Sequence, residues 1–253
     1  MNNKTISTEQ TSRLWNTRYG LTTVVPLDCP AARSLQLYGE WAEQEIDLLS
    51  GSVEDGHTVL EFGGDYGAHA LWLAQAVGTR GQVHVAEPRR LAFQQMCANV
   101  AINGLTNVYT HARWLGRCRD QAPLSSLPGK VAQRNGDDET VSVITVDELE
   151  LDALHLIKIN VPGALIDLLA GAAETIRKHR PMLYIRLAGI QQAETEVQAI
   201  KDLGYRCWSH VPYLYNTDNY AEQASNIFPG CVSQNVIASP VESRFELETQ
   251  HEL

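Results

Sequence analysis

Long apolar runs, paired cysteines and any concentration of positive charge are all missing from this 253-residue chain. No uninterrupted apolar span is long enough to cross a bilayer, and the opening "MNNKTISTEQTSRLW" lacks the apolar core of an export signal. The expectation is a soluble, cytoplasmic protein with no membrane partner. The closing "QHEL" faintly resembles a retrieval address, but without an entry signal nothing would read it. Five cysteines, Cys29, Cys97, Cys118, Cys207 and Cys231, are odd in number, far apart and form no C-x-x-C, which fits reduced thiols rather than a disulfide framework. With 20 Lys and Arg against 30 Asp and Glu the formal charge is −10, and the bases do not cluster. That excludes a face for nucleic acid. The eight histidines include no i, i+4 pair and no cysteine at ligand spacing, so no metal is expected, and there is no G-x-S-x-G nucleophile elbow.

What the chain does have is an alternation of strand and helix patterns. Residues 1–30 lack periodicity and read as a partly ordered arm. "RSLQLYGEWAEQEIDLLSGSV" has apolar residues at helical spacing and predicts a helix before the first strand. "HTVLEF", "QVHVAE", "NVYTHAR", "VSVITVDEL", "LHLIKIN", "MLYIRL", "YRCWSH" and "SQNVIAS" read as strands. Helices are expected over "AHALWLAQAVG", "RRLAFQQMCANVAING", "ALIDLLAGAAETIRKHR" and residues 194–204, with residues 123–140 a polar surface excursion. This order predicts one α/β domain over residues 31–240, a doubly wound, mostly parallel sheet that takes ligands at the carboxyl ends of its strands. The acidic stretch 241–253 is expected to fray.

Two features point to a nucleoside-bearing cofactor. After the first strand, Glu61-Phe62-Gly63-Gly64-Asp65-Tyr66-Gly67 forms E-x-G-x-x-x-G, whose glycines let backbone approach a ligand and whose following helix offers unpaired N–H groups. Glu87 ends the second strand at a distance from the turn where an acid accepts hydrogen bonds from a ribose diol. NAD and S-adenosylmethionine both satisfy this description. A pyrophosphate asks for G-x-G-x-x-G, however, and would be repelled by Glu61 and Asp65, whereas acids suit an ammonium and a sulfonium.

Here the chain resembles the FkbM family of S-adenosylmethionine-dependent methyltransferases. The resemblance rests on "RSLQLYGEWAEQE", "VLEFGGDYGAHALWLA", "VHVAEPRRLAFQQMCANVAINGLTNV", "VSVITVDEL", "LIKINVPG", "GAAETIRKHRPMLYI" and "HVPYLYNTDNYAEQASNIFPGCVSQNVI", in family order. It implies a class I methyltransferase fold, Rossmann-like, with a seven-stranded sheet and flanking helices. By resemblance Glu61, Gly63, Gly67 and Glu87 fall on cofactor positions, and Tyr38, Glu40 and Trp41 form a wall over the active site, although a helix-packing stripe would look the same. The departures cluster. Where the family has K-I-D-V-E-G this chain has Lys158-Ile159-Asn160-Val161-Pro162-Gly163, and where the strand "MLYIRL" reaches the family's glutamate this chain has Arg186.

The candidate residues follow from position. Asn160, at a strand tip, is expected to orient substrate or cofactor, and Lys158 two residues earlier reads equally as a site residue or as a side chain snorkelling past a helix. Arg186 reads as a clamp for an anionic group or as the partner of a nearby acid. The irregular segment after His210 carries Tyr213, Asn216 and Asp218; His210 is the first candidate for a base and Asp218 the second, with Tyr213 and Asn216 as substrate contacts. Two functional readings remain. One is an O- or N-methyltransferase acting on a small molecule, sugar or modified peptide; the other is a degenerate relative that binds cofactor or a partner enzyme. A homodimer or a heteromeric complex accommodates either.

Overall fold

The computed structural model describes residues 14–23, 29–129, 139–245, 247 and 251–253. At its centre lies β3 (Thr58–Phe62), whose five residues are all buried because the strand is covered on both faces. Around it a seven-stranded sheet is built from β4 (Gln82–Ala86), β5 (Val108–His111), β9 (Leu156–Ile159), β10 (Met182–Arg186), β11 (Tyr205–His210) and β12 (Asn235–Pro240). The order is β11-β12-β10-β9-β3-β4-β5, parallel except for β12, which runs antiparallel to both neighbours. The expected doubly wound sheet is therefore observed. The chain leaves β3 towards β4 on one side and later returns to β9 on the other, so the crevice opens at the tips of β3 and β9.

Side chains alternate between two apolar cores. Leu60, Ile157, Ile159, Leu183 and Ile185 pack beneath α5 (Leu165–Gly171), α6 (Ala173–His179) and α7 (Ile190–Asp202), while Val59, Val83, Val85 and Ile237 meet α3 (Ala68–Ala76) and α4 (Arg90–Ile102). No helix among the described residues is long and apolar enough to cross a membrane.

Several elements differ from their sequence expectation. The helix expected before β3 is two: α1 (Pro30–Tyr38) ends at Gly39 in the left-handed conformation, φ 68°, and α2 (Glu43–Leu49) starts after Ala42. A side chain at Gly39 would also collide with the ring of Tyr220, so the break is fixed by backbone and by packing. The helix expected over 164–180 divides at Ala172, because Gly171 lies against the carbonyl of Gly116 and Asp147 caps the fresh N-terminus by accepting from Thr175 N at 2.8 Å. Strand β8 (Thr140–Ile144) does not resume the main sheet. It pairs with β6 (Trp114–Leu115) and β7 (Asp120–Pro123) in a separate three-stranded sheet, as its one-sided burial requires.

Both ends are more ordered than expected where they are described. Within the arm, β1 (Leu14–Thr17) and β2 (Gly20–Thr23) form a hairpin held to α4 by Asn99 and Asn103, which accept from Thr23 N at 2.7 Å and Leu21 N at 2.9 Å. At the other end the expected fraying fails for residues 251–253. Leu253 N donates to Cys207 O, Ser209 N donates to His251 O, and Glu252 pairs with Arg206, because β11 is an edge strand with backbone groups to satisfy.

Candidate active site

The turn after β3 is shaped by contacts only glycine permits. Gly63 has φ 84°, and a Cβ there would stand 2.7 Å from Val161 Cγ2; one at Gly64 would run into Val85 and Met96. Gly67, φ 86°, opens α3 and leaves its first N–H groups without a side-chain cap. Behind this turn Glu61 is buried, its Oε1 accepting from Asn160 Nδ2 at 2.7 Å. Its Oε2 is sealed from solvent and has no partner. Burial pushes the Glu61 carboxyl up to about 7, against the opposing pull of Lys158 and the Asn160 hydrogen bond.

The acid-poor strand tips prove to be neutralised from elsewhere. Lys158, fully buried between Ile157 and Ile159, sets its Nζ 2.9 Å from Glu45 Oε2 and also donates to Asn160 Oδ1. Arg186 Nη2 donates to Glu45 Oε1 at 2.7 Å, and Asn235 Nδ2 reaches the same oxygen at 3.1 Å. Burial alone would raise the Glu45 carboxyl, but Lys158 and Arg186 overcome it and hold the group well below the usual carboxylate range. Nearby His69, its Nε2 2.8 Å from Trp41 O, is pushed by burial down to about 3 and is neutral at physiological pH.

At the tip of β4 the buried carboxylate of Glu87 is also satisfied within the chain. It accepts from Asp65 N at 2.9 Å, Arg89 N at 2.9 Å, Arg89 Nε at 2.7 Å and Arg89 Nη2 at 2.7 Å, while Arg89 also pairs with the Asp65 carboxylate. The guanidinium thus lies over the atoms expected to hold a ribose diol.

Of the expected site residues, Trp41, Glu61, Gly63, Asp65, Asn160 and Arg186 line one crevice, together with Ala31 and Leu35 of α1 and Tyr66, Ala68 and His69. Others stand elsewhere. Lys158 is buried beneath the crevice as the counter-ion of Glu45. Glu40 accepts from Arg18 Nε, Asn216 Nδ2 and Tyr220 N, and Tyr38 donates to Ser225 O, so these residues and Asn216 fasten the irregular segment after β11 instead of walling the crevice. Tyr213 is exposed and bridges Val232 through its backbone, and Asp218 is exposed with its carbonyl accepting from Arg18. His210 is outside the lining, its Nδ1 2.8 Å from Tyr184 OH. Sequence reasoning missed Glu45 and Arg89. A lysine inside an apolar strand was a signal that some buried carboxylate had to exist, though not where.

Comparison with known proteins now decides the family. The model of the FkbM methyltransferase domain matches residues 63–207. This chain belongs to the FkbM methyltransferase family. FkbM methyltransferase from Methylobacillus flagellatus KT superposes with a TM-score of 0.51 at 14% identity, covering 84% of this chain and 55% of that protein, so this chain spans little more than half its length. Precorrin-6y C5,15-methyltransferase from Geobacter metallireducens GS-15 gives a TM-score of 0.51 at 12% identity over 78% of this chain and 89% of that one. No curated protein sequence matches the chain. Membership makes S-adenosylmethionine the cofactor of the family, and the residues of the crevice suit it: the glycine turn admits close approach, and the unpartnered Glu61 Oε2 suits an ammonium.

Two expectations follow from the ionic groups. Glu45→Gln leaves buried Lys158 and half-buried Arg186 without their counter-ion and is expected to lower stability by on the order of 3–5 kcal/mol, read as an earlier urea midpoint at unchanged slope. For Glu61 the folded-state value of about 7 lies above the ordinary 4.5, so the folded chain binds more protons between those values and stability falls as pH rises through that window. Glu61→Gln should flatten that decline, measured as melting temperature from pH 4.5 to 8; an unchanged slope would show that Glu61 is not the group titrating.

Proposed function

We propose that this chain methylates an oxygen or nitrogen of a small molecule, sugar or modified peptide, using S-adenosylmethionine. The observation that carries the reading is the buried, half-partnered Glu61 behind the Gly63-Gly64 turn, at the point where the strand order reverses. Bound there, the cofactor supplies a sulfonium methyl open to in-line displacement. Glu61 would hold its ammonium, the backbone of Gly63 and Gly64 would allow close approach, and Glu87 would hold the diol once Arg89 is displaced from it. Asn160, bonded to both Glu61 and Lys158, fixes the direction in which the carboxylate points.

The chain's contribution is alignment and exclusion of water by Trp41 and the residues of α1. His210, its Nδ1 engaged by Tyr184 and outside the crevice lining, is not given the role of base in this reading. An acceptor that is already nucleophilic, such as an amine, imidazole or phenolate, matches such a site. The placement of Arg89 across Glu87 favours the second reading, a degenerate relative that binds cofactor or a partner enzyme.

Calorimetric titration tests the enzyme reading. With S-adenosylhomocysteine as probe the wild type should bind, and Arg89→Gln, which frees Glu87, should tighten binding several-fold. No heat at millimolar probe for either protein would sink the enzyme reading, and weaker binding by the variant would show that Arg89 supports the ligand instead of competing with it.

A further inference from the structure

The crevice at the tips of β3 and β9 is closed. Its free volume is about 10 Å³, at the limit for a single water, whereas pockets for small molecules and cofactors start at roughly 300 Å³. Glu61 Oε2 and Arg186 Nε in its lining are sealed from solvent. A crevice that receives such a ligand has to open, and its walls are not equally free to move. Arg186 is held by Glu45, Asn160 is bonded to Glu61 and Lys158, and Tyr66 O accepts from Asn99 Nδ2 at 2.7 Å. Trp41 is fixed through its backbone, whose N–H donates to the Tyr19 hydroxyl at 3.0 Å and whose carbonyl stands 2.8 Å from His69 Nε2. We propose that the first turn of α1, residues 30–33, is a lid that unwinds from the crevice to admit the ligand and closes over it. This rests on the cofactor reading above and adds to it the part that moves.

Three features single out this turn. The helix is tied at one end and loose at the other. At its end Tyr38 O accepts from Ala221 N at 3.0 Å, the Tyr38 hydroxyl accepts from Ile227 N at 2.7 Å, and Gly39 O accepts from Arg18 N at 2.8 Å. Among the described residues, the only hydrogen-bonding contact from residues 29–33 to the body of the fold is that of Cys29 Sγ with the Tyr66 hydroxyl, at 3.5 Å. The start of the helix is also poorly capped. Its N-cap is a thiol that accepts from Ala32 N at 3.4 Å, its first turn holds no acid, and Arg33 adds positive charge at the positive end of the helix dipole. Its apolar contact, finally, is shallow: Ala31 and Ala32 meet Tyr66 and Ala92, and side chains as short as alanine's leave little area to separate. Leu35, packed in one core with Tyr19, Ile46 and Leu71, marks where the moving part ends.

Residue-resolved hydrogen exchange on the full chain reads the lid, and pulsed alkylation with iodoacetamide reads half-buried Cys29, with exposed Cys118 and Cys231 as internal references. In the free protein the helical amides of Arg33 and Ser34 are expected to exchange roughly tenfold or more faster than those of residues 71–74 in α3. Saturating S-adenosylhomocysteine should slow both that exchange and Cys29 alkylation by about fivefold or more, leaving Cys118 and Cys231 as they were. Cys29→Ser, which supplies a stronger cap, should slow the exchange of the same two amides without ligand. Exchange at Arg33 and Ser34 as slow as in α3 overturns the lid, as does calorimetric binding of S-adenosylhomocysteine that leaves both readouts unchanged. Absence of calorimetric binding overturns the cofactor reading instead, and the lid then stands or falls on exchange in the free protein and in Cys29→Ser.

Discussion

The carboxylate of Glu45, sealed from solvent on α2, is shared by Lys158 and Arg186, and the crevice keeps its form only while that sharing lasts. Without it two cations would stand at adjacent strand tips in an apolar interior, where desolvation is costly unless charge is matched. The arrangement also ties three layers together. α2 is fastened to β9 and β10 by ion pairs and to β12 through Asn235, so the helices ahead of the sheet are bound to its far half. Positions where the family carries acids here carry Asn160 and Arg186, yet the local charge is balanced by an acid from a distant part of the chain.

That balance changes what the strand tips can do. A carboxylate at the tip of β9 could have received a proton from an acceptor; Asn160 cannot, and it directs Glu61 instead. In the proposed reaction the crevice would then rely on position more than on proton transfer, which methyl transfer tolerates because the sulfonium is already activated. Glu61, near neutrality through burial, is the one lining carboxyl whose charge is set by what approaches it.

The sheet was legible because its strands are short apolar runs between glycine-rich turns, and the glycine turn with its flanking acids was legible because Glu61, Gly63 and Glu87 fall at recognisable spacing within one strand-helix-strand unit. The far half was not. Glu45 lies on an ordinary amphipathic helix, and nothing within a few residues of it reveals that its carboxylate meets Lys158, 113 residues later. Arg89 was hidden for the opposite reason: it is two residues from Glu87, but local sequence does not tell whether an arginine turns out to water or folds back on its neighbour. The helix breaks at Gly39 and Ala172 escaped because each is decided by a tertiary contact, with Tyr220 and with Gly116. His210 looked like a base by its place beside an irregular segment, while its actual partner, Tyr184, sits on β10, two strands away across β12.

The docking of residues 251–253 against β11 bears on how copies of this protein meet one another. An open edge strand is a template on which a second molecule can extend the sheet, and here its backbone groups at Cys207 and Ser209 are already taken by the chain's own end. A strand added at that edge would have to displace residues 251–253 from Cys207 and Ser209.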